Sequence, residues 1–354
     1  MNSPSTARRP LHPAWGIALV ALIALVGLYY VKWSPYYDRA FVAAQTHSIG
    51  SSILTDASGA VPAPSFQAAL DYAMAYGKAI WKALLLGLLL GSAIQTLLPP
   101  QWIIRWLGGF GAGSVVKGSL LAIPGMMCTC CAAPVVSSLR QCRAAPGSAA
   151  AFWLGNTMLN PATLIFMGFV LGWHWVGLRL GLGIVMVLGL GWLINRLNRG
   201  NSATVEVPAA DMDPVDLHAG PLLLRWARSF GRMALRLLPE YVILVLLLGA
   251  ARTWLFPVMD MSMDNSLSWI LGAAVAGALF VIPTAGEVPI VQAMLALGVA
   301  AGPAAALLMT LPPISLPSLI AVSRSFRRTD VAVLLTGVIG MGVLAGGVAT
   351  VLRF

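Results

Sequence analysis

Three cysteines lie within four consecutive residues of this chain, and a fourth follows eleven residues later. They are Cys128, Cys130, Cys131 and Cys142, and the 354-residue sequence contains no others. Thiolates are soft ligands that favour thiophilic partners such as Cu(I), zinc and trivalent arsenic compounds. We therefore expect the first three to face a thiophilic solute and Cys142 to be a packing residue. The alternative for all of them is packing as small apolar side chains.

The order C-T-C-C bears on metal and redox chemistry as well. We take it to lack the C-x-x-C spacing typical of zinc sites and thioredoxin-like redox pairs. Cys130 and Cys131 are adjacent, so a disulfide between them would be strained, and at an extended tip they should point in opposite directions. The four histidines are scattered, and we find no phosphate-binding loop and no nucleophile elbow. We expect no permanent metal site, no cofactor and no enzymatic activity.

Glu287 is the only acid in the apolar stretch 267–300. A carboxylate at membrane depth is costly and usually faces the protein interior or a water-filled path. We expect it to exchange a proton, although a hydrated structural position at the outer mouth would also explain it. Lys78, Lys82 and Arg179 are expected to extend from outer helix ends to the interface; the alternative for Arg179 is that it faces the cavity. Further candidates for substrate binding are Asn156, Asn160, Thr284 and Ser315; the asparagines could equally serve helix packing.

Composition identifies the medium around these groups. The chain is 58% hydrophobic and 10% charged, whereas a soluble domain carries about 25% charged residues. Several apolar runs approach the roughly 20 residues needed to cross a bilayer. The net charge of +10 comes from arginines and lysines in short loops, which fits the positive-inside rule better than a nucleic-acid face. The lipid bilayer is therefore the expected partner, nucleic acid is not, and homo-oligomerisation is left open.

Charge and hydropathy divide the chain into four parts. Residues 1–67 should hold an N-terminal transmembrane helix, over 15–31, and an outer loop. Residues 68–195 form a first transmembrane unit, 196–236 a flexible cytoplasmic linker, and 237–354 a second unit. Arg8 and Arg9 before the first helix predict a cytoplasmic N-terminus in a bacterial inner membrane; a cleaved signal peptide is the alternative. Further spanning helices are expected at 68–98, 148–171, 176–194, 237–255, 303–322 and 331–352.

Prolines interrupt the apolar runs at matching places in the two units. Bare backbone cannot face lipid, so such breaks belong inside protein or along a cavity. Residues 115–143 and 267–300 are therefore predicted to be re-entrant hairpins that enter from opposite faces. From Pro134 to Gly147, and again from Pro289 to Gly302, the spacing is thirteen residues. The predicted hairpin and helix breaks are Pro124, Pro134, Pro161, Pro283 and Pro289.

We accordingly expect an all-α polytopic membrane protein with two inverted-topology repeats. Each repeat runs helix, re-entrant hairpin, helix, helix, and an extra N-terminal transmembrane helix precedes them. Secondary transporters are often built in this way, with the substrate site near the midplane where interrupted segments meet. The alternative is that two hairpins rich in Gly, Ala and Pro merely look alike.

The stretches IPGMMCTCCAAPVVSSL and GSAAAFWLGNTMLNP resemble the predicted-permease family that includes bacterial organoarsenical efflux permeases. The second half is similar to that family over VIPTAGEVPIVQAMLALGVAAGPAAALL and the following LPSL, and the resemblance covers about residues 75–350. It implies family roles for the C-x-C of Cys128 and Cys130, for Pro134, for Asn160-Pro161 and for Glu287. Two places depart from the family pattern: Cys131, where small residues are commoner, and Thr284-Ala285, where polar or cysteine-containing residues are expected.

Together these observations predict an inner-membrane secondary transporter. We expect it to export a small thiophilic solute, such as a trivalent organoarsenical, by proton-coupled alternating access. One alternative is a permease for another sulfur- or metal-containing solute, and a channel or structural subunit is another. A membrane thiol oxidoreductase would need a C-x-x-C pair and a partner pair, and we take the chain to have neither.

Overall fold

The computed structural model describes residues 13–50, 53, 62–199, 221–255 and 263–354. These residues form α-helices with short connections and no β-strand, which confirms the all-α class. The helices are α1 (Pro13–Leu28), α2 (Ser34–Thr46), α3 (Phe66–Leu97), α4 (Pro100–Leu107), α5 (Ala112–Ala122), α6 (Thr129–Gln141), α7 (Pro146–Met158), α8 (Pro161–Val170), α9 (Trp173–Asn198), α10 (Leu222–Leu255), α11 (Leu267–Leu279), α12 (Glu287–Ala296), α13 (Ala301–Thr310), α14 (Leu316–Ser323) and α15 (Arg328–Leu352).

Five of these helical segments are long and apolar enough to cross a bilayer. They are the N-terminal run of α1 and α2, then α3, α9, α10 and α15. Spans of this length and hydropathy make the chain a multi-pass membrane protein. The remaining helices are shorter, and apart from α4 they come in pairs separated by breaks.

The N-terminal helix is longer than predicted. It continues from α1 through a π-helical turn, Tyr29–Trp33, into α2 and ends at Thr46, so residues 32–46 are helix rather than outer loop. Pro35 cannot donate to the carbonyl four residues back, and the wider π turn just before it accommodates this. His47 then ends the helix in the left-handed conformation, with a φ of 51°.

The predicted linker is helical at its end. Helix α10 begins at Leu222, so the expected boundary at residue 236 lies inside it. Arg225, Arg228, Arg232 and Arg236 follow one another at intervals of three or four residues, which places them on one side of a helix. Residues 200–220, where we predicted a flexible connection, lie outside the described part of the chain.

Two predicted spanning helices are broken at their centres, the first at the predicted break Pro161. Residues 148–171 are divided into α7 and α8, because Asn160 caps a new helix that starts at Pro161. Residues 303–322 are likewise divided into α13 and α14, with Ser315 as the cap.

Two of the five predicted proline breaks are wrong. Pro134 lies inside α6, where its missing N–H costs one internal hydrogen bond without ending the helix. Pro289 lies in the first turn of α12, where backbone N–H groups have no intrahelical partner in any case. The breaks lie earlier, at 123–128 and 280–286, and they contain Pro124 and Pro283.

A backbone hydrogen bond joins residues near the two ends of each predicted hairpin segment. The N–H of Ala145 donates to the carbonyl of Leu107 at 2.8 Å, and the N–H of Ala300 donates to the carbonyl of Met263 at 3.0 Å. The first hairpin ends beside the start of α15, since Arg140 donates to the carbonyl of Ser325. The second ends beside the other end of α15, where Gly302 lies against Thr350.

The two breaks share an uncommon backbone feature. Met126 and Ala285 both have positive φ values, 47° and 67°. Non-glycine residues are strained in this region, and such strain concentrates at functional sites. Ala285 stands 159 positions after Met126, as Ile282-Pro283 does after Ile123-Pro124.

After the cysteines, corresponding residues of the two halves are 155 positions apart instead of 159. This separation relates the helix caps Asn160 and Ser315. It also relates two glycine pairs: a methyl group on Gly191 would lie 2.9 Å from the carbonyl oxygen of Gly147, and one on Gly346 would lie 2.9 Å from that of Gly302.

Helix packing follows the same correspondence. Helices α5, α7 and α9 pack on one another as α11, α13 and α15 do, and α6 contacts α14 as α12 contacts α8. One pair differs, because α3 packs extensively on α6 whereas α10 has no comparable contact with α12. Gly87 permits the close approach of α3 to α6, since its backbone faces the carbonyl of Cys131.

We predict that Gly87→Ala destabilises the protein. Its methyl group would lie 2.1 Å from the carbonyl oxygen of Cys131, and overpacking of this kind costs about 1–3 kcal/mol. The unfolding midpoint in detergent should therefore fall. Gly77→Ala, on the same helix but with nothing within 4 Å, is the control and should leave the midpoint unchanged or raise it. Equal midpoints for the two variants would contradict the close packing of α3 on α6.

Candidate functional site

The three clustered cysteines lie at the start of α6, directly after the first break. Cys128 is the N-cap of this helix, and Cys130 and Cys131 are in its first turn. All three are buried free thiols. The tip is therefore helical rather than extended, and this places residues 128 and 131 on the same side.

Cys128 and Cys131 form the closest thiol pair. Their sulfurs are 2.7 Å apart. Since they are three residues apart, Cys128-Thr-Cys-Cys131 does have C-x-x-C spacing, and the earlier conclusion that the run lacks it was wrong. Among the described residues, no group of three or more His, Cys, Asp or Glu side chains could hold a metal ion. The site is thus a dithiol, suited to a ligand atom that accepts two sulfurs.

Cys130 also lies beside Cys128 and has further neighbours on other helices. Its sulfur accepts a hydrogen bond from the Tyr76 hydroxyl at 3.1 Å and lies 3.9 Å from Oγ of Ser315. Oγ1 of Thr129 is 3.4 Å from the same serine oxygen. The structure therefore brings the predicted residue Ser315 to Cys130, across the contact between α6 and α14.

The second break lies beside the first. Cys128 and Thr284 line the same narrow cavity, together with Glu287 at the start of α12. Oγ1 of Thr284 accepts a hydrogen bond from Lys32 at 3.0 Å. Thus the structure brings together Cys128, Thr284 and Glu287, three residues predicted from the sequence.

Glu287 is buried in an ion pair. Nη1 of Arg179 lies 2.6 Å from its Oε1, and the two side chains are 0% and 2% exposed. The expectation that Arg179 extends to the interface was therefore wrong. Its other terminal nitrogen donates to the carbonyl of Thr157 at 2.8 Å, the carbonyl that Pro161 cannot serve because it has no N–H. Lys78 and Lys82, by contrast, are exposed as expected.

The two asparagines lie apart from the dithiol cavity. Oδ1 of Asn160 accepts from the N–H groups of Ala162 and Thr163 and so caps α8. Asn156 donates to the carbonyl of Phe152 and lines an apolar cavity of about 410 Å³ on the α1 side of the first break. Its Oδ1 has no hydrogen-bond partner in the described structure. These contacts place Asn160 in helix capping and Asn156 at a separate surface.

Two further cavities lie against the helices that carry the site. One, the Lys32 cavity, has a volume of about 240 Å³ and reaches Cys128. Its polar lining residues are Lys32, Tyr36, Arg39, Cys128 and Thr284. The other, the Arg232 cavity, has a volume of about 120 Å³ between α3, α6, α10 and α14. Its polar lining includes Gln95, Ser137, Arg232, Arg236, Glu240 and Arg324.

Sequence reasoning missed Lys32, Tyr76 and the role of Arg179. Lys32 was assigned to a loop because the predicted first helix ended one residue before it. Arg179 carried a usable signal, since a cation inside an apolar helix and a lone acid in another apolar stretch are natural partners. The sequence carried no signal for Tyr76, because its role depends on contact with Cys130, which is 54 positions away.

We predict that Cys128 and Cys131 form a disulfide under mild oxidation. The sulfurs need to approach by less than 1 Å to reach the S–S bond length of about 2.05 Å. In a Cys130→Ser, Cys142→Ser background, treatment with diamide should remove two hydrogen atoms per chain, as measured by intact mass spectrometry. Adding Cys131→Ser should prevent this. Two thiols that remain free and alkylatable after oxidation would contradict the observed pairing.

We also predict that the Arg179–Glu287 pair is a major stabilising contact. Arg179→Met leaves a buried carboxylate unpaired, which costs about 3–5 kcal/mol, and should strongly lower the unfolding midpoint. Combining it with Glu287→Gln should recover part of the loss. The control is Arg324→Met, which removes an ion pair to Glu240 whose side chains are 48% and 33% exposed and should cost at most about 1 kcal/mol. If Arg179→Met and Arg324→Met lowered the unfolding midpoint equally, the buried ion pair would not be the stronger of the two contacts.

Comparison with known sequences agrees with this architecture. The sequence pattern of a family described as predicted permease matches residues 14–153 and 113–351. UPF0718 protein YraQ of Escherichia coli (strain K12) is 49% identical over 355 residues, covering 98% of this chain and 98% of the relative. UPF0718 protein MJ0584 of Methanocaldococcus jannaschii is 23% identical over 326 residues, covering 73% of this chain and 88% of the relative. No solved structure matches the chain. The resemblance found in the sequence is thereby confirmed, and the chain belongs to the predicted permease family, as a membrane transporter rather than an enzyme.

Proposed function

We propose that this permease exports a small thiophilic solute, such as a trivalent organoarsenical, across the bacterial inner membrane. The observation that carries the proposal is the Cys128–Cys131 dithiol, buried at one helix break and facing the second break. Substrate sites of broken-helix transporters lie where such breaks meet.

Dithiol exchange suits transient binding. An organoarsenical with two hydroxyls on arsenic would form two As–S bonds to Cys128 and Cys131, and two water molecules would leave with the thiol protons. The reverse exchange, with water or another thiol, releases the solute. Neither step changes an oxidation state, so no redox partner is required.

We propose inverted repeats with two re-entrant hairpins as the framework. Support comes from the hydrogen bonds that join the entry and exit of each hairpin, and from their positions at opposite ends of α15. The repeat is also supported by the corresponding residues of the two halves, which lie 159 positions apart before the cysteines and 155 after them, and by the matching helix packing. With Arg324 and Arg327 on the cytoplasmic side, the first hairpin enters from the cytoplasm, the second from outside, and the N-terminus is cytoplasmic.

In this orientation the Lys32 cavity faces outward and the Arg232 cavity faces the cytoplasm. The Cys128 side of the dithiol lines the outward cavity. Tyr76 and Ser315 both contact Cys130, and we propose that these three residues separate the dithiol from the other cavity. The pair of Arg324 and Glu240 joins α14 to α10 at the cytoplasmic mouth. Alternating access would exchange which cavity reaches the dithiol.

Glu287 is the proposed proton-coupling group, acting through Arg179. In the paired state the carboxylate is ionised and holds α12 to α9. Protonation would remove the negative charge that Arg179 neutralises and would weaken the attachment of the second hairpin. Movement of this hairpin could thus be linked to the proton gradient.

A permease for another sulfur- or metal-containing solute would use the same dithiol. The oxidoreductase alternative gains a C-x-x-C pair from the structure, but the sequence offers no second such pair to exchange electrons with it. A transporter therefore accounts for the thiols better than an electron carrier does.

The test is arsenic accumulation in arsenical-sensitive cells exposed to phenylarsonous acid, measured by elemental mass spectrometry at matched membrane expression. Wild type should lower accumulation. Cys128→Ser and Cys131→Ser should each abolish the effect, because one thiol cannot replace the lost second As–S bond, and Glu287→Gln should reduce it severely. Cys142→Ser is the control and should behave as wild type.

A wild type without effect on accumulation would remove the arsenical assignment. A working wild type with fully active Cys128→Ser and Cys131→Ser variants would remove the dithiol mechanism while leaving export in place.

A further inference from the structure

Lys32 is a buried cation at the proposed transport site, although it belongs to neither repeat. It lies in the π-helical turn Tyr29–Trp33, and only 5% of its surface is exposed. Single π turns inside α-helices occur frequently at functional sites, because the extra residue redirects a side chain.

The same turn is attached to both helix breaks. Nζ of Lys32 donates to Thr284 of the second break at 3.0 Å and to the Tyr36 hydroxyl at 3.2 Å. Nε1 of Trp33 donates to the carbonyl of Pro124 in the first break at 2.9 Å. The ammonium group is therefore held at a fixed place beside the two segments that form the site.

Among the described residues, Lys32 has no carboxylate partner. Both of its hydrogen-bond partners are neutral hydroxyls, and the described lining of the Lys32 cavity includes Arg39 but no acidic residue. Glu287, which follows the second break, is already paired with Arg179. A buried charge without a counter-charge is costly, so the cavity carries a surplus of positive charge.

Cys128 faces the same cavity. A Cys128 thiolate would balance Lys32 in the empty site. When this thiolate bonds to the thiophilic atom, the negative charge leaves as hydroxide, in place of one of the two water molecules. The balance is restored when the solute itself brings an anionic group.

We propose that the Lys32 cavity selects thiophilic solutes that carry a negative charge, and that Lys32 is the residue that sets this preference. This deepens the proposed function and rests on its site, since it names the charge of the solute that the dithiol receives. An aromatic arsenical with a carboxylate or sulfonate substituent is the corresponding substrate class.

The experiment measures the charge preference at Cys128 without any transport. In a Cys130→Ser, Cys131→Ser, Cys142→Ser background, Cys128 is the only thiol. Its modification rates are measured with two methanethiosulfonates, one bearing an anionic sulfonatoethyl group and one a cationic trimethylammonioethyl group. The ratio of the two rates is independent of the thiolate fraction, because that fraction affects both reagents equally.

We expect the ratio of the anionic to the cationic rate to be higher at Cys128 than at a free thiol in solution. Lys32→Gln should lower this ratio about tenfold or more, because a nearby buried positive charge is lost. Lys32→Arg, which keeps the charge, should retain most of the preference. Lys82→Met is the matched control, since Lys82 is an exposed lysine beside Trp81 and Tyr30, and it should leave the ratio unchanged.

An unchanged ratio in Lys32→Gln would overturn the proposal, and so would a Cys128 that neither reagent modifies in the folded protein. Lys32→Met serves as a second uncharged variant if Lys32→Gln fails to fold. The readout involves no arsenical, so failure of arsenic export would leave this result standing, and a failed charge preference would leave export standing.

Discussion

Backbone groups released at helix breaks must find hydrogen-bond partners inside the protein, because lipid offers none. The structure supplies these partners from side chains of other helices. Trp33 donates to the carbonyl of Pro124, the Tyr72 hydroxyl to that of Val281, and Arg179 to that of Thr157. Each donor also fixes the position of the break it serves. The site between the breaks therefore exists because three distant helices complete the backbone hydrogen bonding.

This arrangement explains why charged groups occur at the centre of so apolar a chain. Arg179 serves a carbonyl and also binds Glu287, so that two costly groups, a bare carbonyl and a buried carboxylate, share one partner. The pair joins α9 of one half to α12 of the other. Arg179 thus satisfies a free backbone carbonyl and also holds the two halves together.

Much of the fold followed from the sequence, because hydropathy and proline positions report local physics. The spanning helices α3, α9 and α15 agree with prediction within a few residues, and the cap at Asn160-Pro161 marks a true break. The predictions that were wrong also have local causes. Pro134 was taken as a break although a helix can tolerate one missing N–H, and the periodic arginines of α10 were assigned to a linker.

The site was only partly accessible from sequence, because its geometry depends on long-range contacts. The cysteines, Thr284, Ser315 and Glu287 were identified by residue type and context. The pairing of Cys128 with Cys131 rather than Cys130 required a helical tip instead of an extended one. Lys32 and Arg179 could be placed only by their partners, which lie 252 and 108 residues away in the chain.

These separations also constrain how the protein is made. The hydrogen-bond partner of Trp33 lies 91 residues later in the chain, and one partner of Lys32 lies 252 residues later. During synthesis the first helix is therefore made long before Thr284, one of the two hydrogen-bond partners of its lysine, and the second hairpin is synthesised late. Biogenesis should consequently keep the nascent N-terminal helix near the translocon or an insertase until most of the chain has been translated, and the transport site becomes complete only when the polypeptide is nearly finished.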